Sequence, residues 1–207
     1  MNPNDLPLPA FLAIGAVLAY LIGSLSFAVI VSRIFGLDDP RTYGSGNPGA
    51  TNVLRSGHKG AAVLTLVFDA LKGYVPVALA VMAGFPAEVV AAIGLGAFIG
   101  HLWPVFFKFE GGKGVATAAG VLLGIDPALG GLVLLLWLGM AVVFRYSSLA
   151  ALTASIAAPL LQVWLQGPST MSLAVAVMSV LLIWRHAPNI RKLMAGQESK
   201  IGSKKKA

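Results

Sequence analysis

Residues 8–31 read LPAFLAIGAVLAYLIGSLSFAVIV, without one charged side chain, and Ser32 and Arg33 follow. At about 1.5 Å of rise per residue, a helix over this run crosses the roughly 30 Å hydrocarbon core of a bilayer with length to spare. No Lys or Arg precedes the run, whereas a signal peptide carries its positive charge first and ends at a cleavage site. The run therefore reads as a retained first span with the amino terminus outside. Six further apolar runs follow, at about 61–82, 87–107, 115–125, 128–144, 149–165 and 171–183. The predicted fold is an all-α polytopic integral membrane protein, a seven-transmembrane-helix bundle with its carboxyl terminus in the cytoplasm. Residues 1–207 are taken as a single membrane domain, with 199–207 a disordered basic tail near anionic lipid.

Composition agrees. The chain is 57% hydrophobic and 11% charged, against roughly 25% charged in soluble domains. There is no Cys, which excludes disulfides, thiolate metal ligands and a cysteine nucleophile; no metal or cofactor is expected. The net charge of +7 would suit nucleic acid, but the placement of the basic residues excludes that partner. With seven spans, every Lys and Arg except Lys72 falls on the cytoplasmic side, and the outer segments carry only Asp5, Glu88 and Asp126. That is the positive-inside pattern.

Orientation also decides where chemistry belongs. The long polar segments, 33–60, 108–114, 145–148 and 185 onward, all face the cytoplasm, while the outer turns are short. In the second of these segments Gly111-Gly112-Lys113-Gly114 precedes Val115-Ala116-Thr117, where a helix starts. Backbone N–H groups, the positive end of a helix dipole and an ammonium converge there, an arrangement that holds an anion. The alternative is a flexible glycine turn between membrane helices. The span at 115–125 rises only about 16 Å, so the loop is expected below the membrane surface, lining a wet cavity.

The first inside loop reads Tyr43-Gly44-Ser45-Gly46-Asn47-Pro48-Gly49-Ala50-Thr51-Asn52-Val53-Leu54-Arg55. Pro48 and Gly49 stand where a type II turn places them. A short helical piece over 50–55 would set Asn52 and Arg55 one above the other. So many hydroxyls, amides and a guanidinium in a membrane protein point to a polar ligand, with a solvated linker as the alternative.

At these residues the chain resembles a known family. Gly-Ser-Gly-Asn-Pro-Gly-Ala-Thr-Asn at 44–52 with Arg55 is similar to the first signature of the PlsY family of bacterial acyl-phosphate:glycerol-3-phosphate acyltransferases. His101-Leu102-Trp103-Pro104-Val105-Phe106 running into Gly111–Thr117 resembles its second. Ser147-Ser148-Leu149-Ala150-Ala151, and Arg185-His186-Ala187-Pro188-Asn189-Ile190 with Gly196-Gln197-Glu198, resemble the remaining segments. Ala187-Pro188 departs from the polar or basic residues the resemblance leads one to expect there.

The resemblance implies transfer of a fatty acyl group from acyl phosphate to glycerol 3-phosphate, giving lysophosphatidic acid, in the bacterial inner membrane at a cytoplasm-facing site. It implies that Lys113, with the N–H groups of Gly112 and Gly114, holds the phosphate of glycerol 3-phosphate. Arg55 and Ser45 would grip the other phosphate or polarise the acyl carbonyl. Ser148 and Asn189 would orient substrate, and His186, or a substrate phosphate, would take the hydroxyl proton. Asn47, Thr51, Asn52, Gly111 and Thr117 complete the expected substrate-binding set. Partners are the two substrates and membrane lipids.

Other groups have simpler readings. Asp69 and Lys72, three apart within a span, read as a buried pair pinning helices, because charges are costly there. His101 either locks a helix end or touches substrate, and His58 reads as solvated. Ser24 and Ser26 are expected to bond backbone carbonyls. A Walker loop is excluded, since Phe107 stands where its first glycine belongs and Gly114 where its Ser or Thr belongs. The histidine-plus-aspartate pair of other glycerol-phosphate acyltransferases is absent: five residues after His58, His101 and His186 stand Val63, Phe106 and Arg191. A transporter or channel for a small phosphorylated solute is the alternative from another class, disfavoured because no polar path reaches the outer turns.

Overall fold

The computed structural model describes residues 7–202, all helix and connecting loop. Asp5 and the lysines at 204–206 lie outside the described residues. The chain folds as two compact units, one up to Gly130 and the other from Gly131.

The first unit holds α1 (Leu8–Gly23), α2 (Phe27–Ile34), α3 (Ala50–Val53), α4 (Lys59–Met82), α5 (Ala87–Leu102) and α6 (Val115–Ile125). α7 (Pro127–Phe144) begins there and continues into the second unit, which adds α8 (Ser147–Gln166), α9 (Thr170–Arg185) and α10 (Ala187–Met194). Among the described residues, five segments are long and apolar enough to cross a membrane: Leu8–Ile34, α4, Ala87–Phe107, α7 and α8. The pair α9 and α10, bent by 57°, makes a sixth if counted as one span. The remaining expected span is α6, with 11 residues.

Large apolar side chains stand exposed along these helices, among them Ile14, Val17 and Leu18 on α1 and Val63, Leu66 and Leu79 on α4. Water would not tolerate such faces, whereas lipid covers them without cost. Lipid gives apolar faces no drive to associate, so close backbone approach does the packing. α1 packs on α5, where a Cβ at Gly96 or Gly100 would collide with the backbone of Ala16 or Tyr20. α4 packs on α6 in the same way.

The expected first span is broken. α1 ends at Gly23 and α2 starts at Phe27. The helical bonds resume at Ser26, whose carbonyl accepts from Val29 and Ile30, leaving the Leu25 carbonyl for another donor. The ammonium of Lys72 supplies it at 2.8 Å. Ser24 also differs from expectation: its hydroxyl accepts from the N–H of Val105 at 3.4 Å. Below the break, Ala28 and Val31 of α2, Val53 of α3, and Ala61 and Ala62 of α4 form a small apolar core with Leu37.

Candidate functional site

Two polar assemblies arise, one in each unit. In the first, the 44–52 loop is knotted by Asn52. The buried Asn52 amide donates to the carbonyls of Pro40 (2.6 Å) and Tyr43 (3.2 Å), and its oxygen accepts from the Ser45 N–H at 2.9 Å. Asn52 therefore shapes the loop that presents Ser45, with its amide engaged in the protein. Thr51, Ser45 and Arg55 are exposed.

The helical piece is present as α3 and a 3-10 turn over Leu54–Ser56. The type II turn is not: Gly49 has φ −158°, and the Gly49 N–H closes on the Asn47 carbonyl at 2.9 Å. That bond spans three residues, a tighter turn centred on Pro48.

Arg41 ties this loop to the segment before the glycines. It holds Asp39 at 2.7 Å, Glu110 at 3.2 Å and the Phe107 carbonyl at 3.4 Å. The hydrogen bond from Arg41 holds the Asp39 carboxyl below its usual range, against a smaller opposing push from burial. Beside it a cavity of about 240 Å³ is lined by Arg33, Arg41, Phe106, Phe107, Lys108 and Glu110. None of the site residues expected from the sequence lines it.

Residues 111–114 run without regular structure into α6. Gly114 sets the helix start with φ 83°, a left-handed conformation that favours glycine. Gly112 is enclosed: a Cβ there would collide with His101 Nε2 and stand 3.0 Å from the Pro48 carbonyl. The fold thus brings together the two stretches singled out more than fifty residues apart in the chain.

One expected donor is redirected. The Gly112 N–H bonds the His101 carbonyl at 3.1 Å, so it does not face an anion. The Gly114 N–H and the first-turn N–H groups of α6 have no helical acceptor, and Lys113, half-buried, precedes them directly in the chain. Thr117 is 0% exposed. Its hydroxyl donates to the Asp69 carbonyl at 2.9 Å and meets His101 Nδ1 at 3.1 Å. Asp69 and Lys72 form the expected buried pair at 2.8 Å. His58, read as solvated, caps α4 by accepting from the Ala61 N–H at 3.1 Å.

In the second unit, His186 sits at the bend between α9 and α10, 2% exposed. Its Nδ1 lies 2.8 Å from the Leu182 carbonyl. A carbonyl only accepts, so Nδ1 carries a proton and donates it to Leu182. Ser148 and Asn189 converge on one oxygen, Glu198 Oε1, at 3.0 and 2.9 Å. The sequence reading gave Glu198 no role, yet a signal was there: it is the sole acidic residue after Asp126. The segment behind it is also held, since Ile201 bonds Arg145 through its N–H (2.6 Å) and its carbonyl (3.0 Å). The rest of the expected tail, residues 203–207, lies outside the described residues.

The profile of the glycerol-3-phosphate acyltransferase family matches residues 13–196. The glycerol-3-phosphate acyltransferases of Paraburkholderia phytofirmans and Burkholderia ambifaria are each 62% identical to this chain over 196 residues, covering 93% and 94% of it and 92% of their own lengths. The crystal structure of PlsY (YgiH), an integral membrane glycerol 3-phosphate acyltransferase, in its glycerol 3-phosphate form is similar with a TM-score of 0.88 at 40% identity, covering 92% of this chain and 96% of that one. Its lysophosphatidic acid form gives 0.86 at 40% identity, over 92% and 95%.

Proposed function

This chain belongs to the glycerol-3-phosphate acyltransferase family, and from that premise we propose that it acylates glycerol 3-phosphate to lysophosphatidic acid with acyl phosphate as donor. The observation that carries the site assignment is the packing of Gly112 between the His101 ring and the Pro48 carbonyl. It seats the lysine-bearing loop on the loop that bears Ser45 and Arg55.

Lys113 and the N–H groups at the start of α6 hold the phosphate of glycerol 3-phosphate, with Gly111 and Gly112 shaping the loop. Arg55 and Ser45, flanked by Asn47 and Thr51, meet the donor phosphate or the acyl carbonyl, where negative charge grows in the transition state. The substrate hydroxyl oxygen forms the new ester bond to the acyl carbon. The anhydride carbon–oxygen bond breaks, phosphate leaves with the electron pair, and the proton passes to His186 or to a substrate phosphate. No acyl-enzyme forms, because the donor is already activated. Ser148 and Asn189, set by Glu198, orient substrate.

The reaction takes place at the cytoplasmic face of the inner membrane, in one membrane domain with seven spans, α6 being the short one, and the amino terminus outside. The charge distribution supports this topology.

Purified protein supplied with glycerol 3-phosphate and either acyl phosphate, acyl-CoA or acyl carrier protein tests the donor. Product is expected from acyl phosphate only; equal use of acyl-CoA overturns it. Uptake of labelled glycerol 3-phosphate into proteoliposomes with no lysophosphatidic acid formed would favour the transporter reading instead.

A further inference from the structure

The transfer proposed above assigns no part to Asp69, Lys72 or His101, yet all three are buried, and buried charges within a span are costly unless they serve something. Their bonds run in one direction. Lys72 caps the Leu25 carbonyl at the α1–α2 break and pairs with Asp69 at 2.8 Å. The Asp69 backbone carbonyl accepts the Thr117 hydroxyl at 2.9 Å, and its carboxylate Oδ1 stands 3.6 Å from His101 Nδ1. The Thr117 hydroxyl has one proton, already given to Asp69, so at 3.1 Å it accepts from His101 Nδ1–H.

The ring is thereby fixed at one edge, and its other edge, Nε2, occupies the space a Cβ on Gly112 would fill. The His101 carbonyl meanwhile takes the Gly112 N–H at 3.1 Å.

We propose that Asp69, Lys72, His101 and Thr117 are positioning residues: together they fix the imidazole against which the Gly111–Gly114 loop is moulded, and so set the affinity for glycerol 3-phosphate without touching it. This rests on reading that loop as the phosphate site. A ring free to rotate about its Cβ–Cγ bond would press on Gly112 from one side while the Pro48 carbonyl blocks the other. Loop geometry therefore depends on the Nδ1 bond.

The test is steady-state kinetics of the purified full chain with both substrates varied. Thr117→Val removes the hydroxyl at nearly constant volume. It is expected to raise the KM for glycerol 3-phosphate about fivefold or more, the worth of one hydrogen bond, while the KM for acyl phosphate stays put. Thr117→Ser, which restores the hydroxyl, should recover the wild-type value. His101→Asn, whose amide nitrogen stands near the place of Nδ1, provides a second reading of the same split should the valine variant not fold.

A merely structural role would lower the yield of folded protein, or shift both KM values alike, and either result for both variants overturns the proposal. Lys113→Ala separates the two levels. An unchanged glycerol 3-phosphate KM there removes the phosphate role from the loop itself. A raised KM for Lys113→Ala with unchanged values for Thr117→Val and His101→Asn sinks the positioning network alone.

Discussion

Glu198 Oε1 accepts from both Ser148 and Asn189, so one carboxylate sets two side chains that we propose orient substrate. Hydrogen bonds to a charged group are worth about 1.5–3 kcal/mol each. Glu198→Ala should therefore lower both the thermal midpoint and kcat, and Glu198→Gln, which keeps an oxygen acceptor, should recover part of each; a normal kcat in the alanine variant would separate Glu198 from turnover. A second residue-scale effect concerns pH. The folded pKa of Asp39 is depressed below 3.8, first by the Arg41 hydrogen bond, so the stability it confers is present above that value and lost as pH falls through the folded pKa. Thermal midpoints measured down to about pH 3 should show a shallower acid decline for Asp39→Asn than for the wild type; identical slopes would exclude the pair as a contributor. At this scale the sequence shows which residues are polar but not what they face. Asn52 reads as a ligand amide, yet its partners are the backbone groups of Pro40, Tyr43 and Ser45. Which groups those are depends on how the turns close, and the closing bond at Asn47 and Gly49 is not the one that Pro-Gly suggests.

At the scale of elements, the apolar runs were legible because lipid imposes length and hydrophobicity directly. α4 to α9 fall within a few residues of the runs read from the sequence. The break at Ser24–Ser26 was not legible, since serines are tolerated in membrane helices and the lysine that satisfies the freed Leu25 carbonyl lies 47 residues away in the chain. α10 escaped for the opposite reason: its sequence, APNIRKLM, carries too many polar residues to mark a span. Packing between elements relies on missing side chains. A Cβ at Gly100 would strike the Tyr20 carbonyl and come within 2.8 Å of the Ser24 nitrogen, and both are backbone atoms that no rotamer change can move. Overpacking of this sort costs about 1–3 kcal/mol or more. Gly100→Leu should thus sharply reduce the detergent-stable, monodisperse fraction in size-exclusion chromatography, whereas Gly131→Ala, with nothing within 4 Å of the added carbon, should behave as wild type. Equal behaviour of the two would mean that α1 and α5 do not need their close approach.

For the whole molecule, the reading of function depends on topology, because every polar loop assigned to the reaction must face the side where the substrates are made. The proposed side rests on the charge pattern: basic residues crowd the loops at 33–59, 108–113 and 185–200, and the turns at 84–86 and 167–169 have none. The chain has no Cys, so single cysteines placed in it report position without background. A membrane-impermeant maleimide applied to intact cells should label Ser169→Cys, and should label Ser56→Cys or Ser199→Cys only after the membrane is opened. Ala128→Cys decides the count of spans. It is exposed just after α6, so labelling from outside means that this short helix completes a crossing, with the bilayer thinned or its ends recessed to meet about 16 Å of helix. Labelling only after opening would make α6 re-entrant, reduce the crossings by one and reverse the side assigned to every later loop. The segments at 145–148 and from 185 onward would then face outside, against the proposed orientation. Outside labelling of Ala128→Cys is therefore the outcome that the proposed seven-span topology requires.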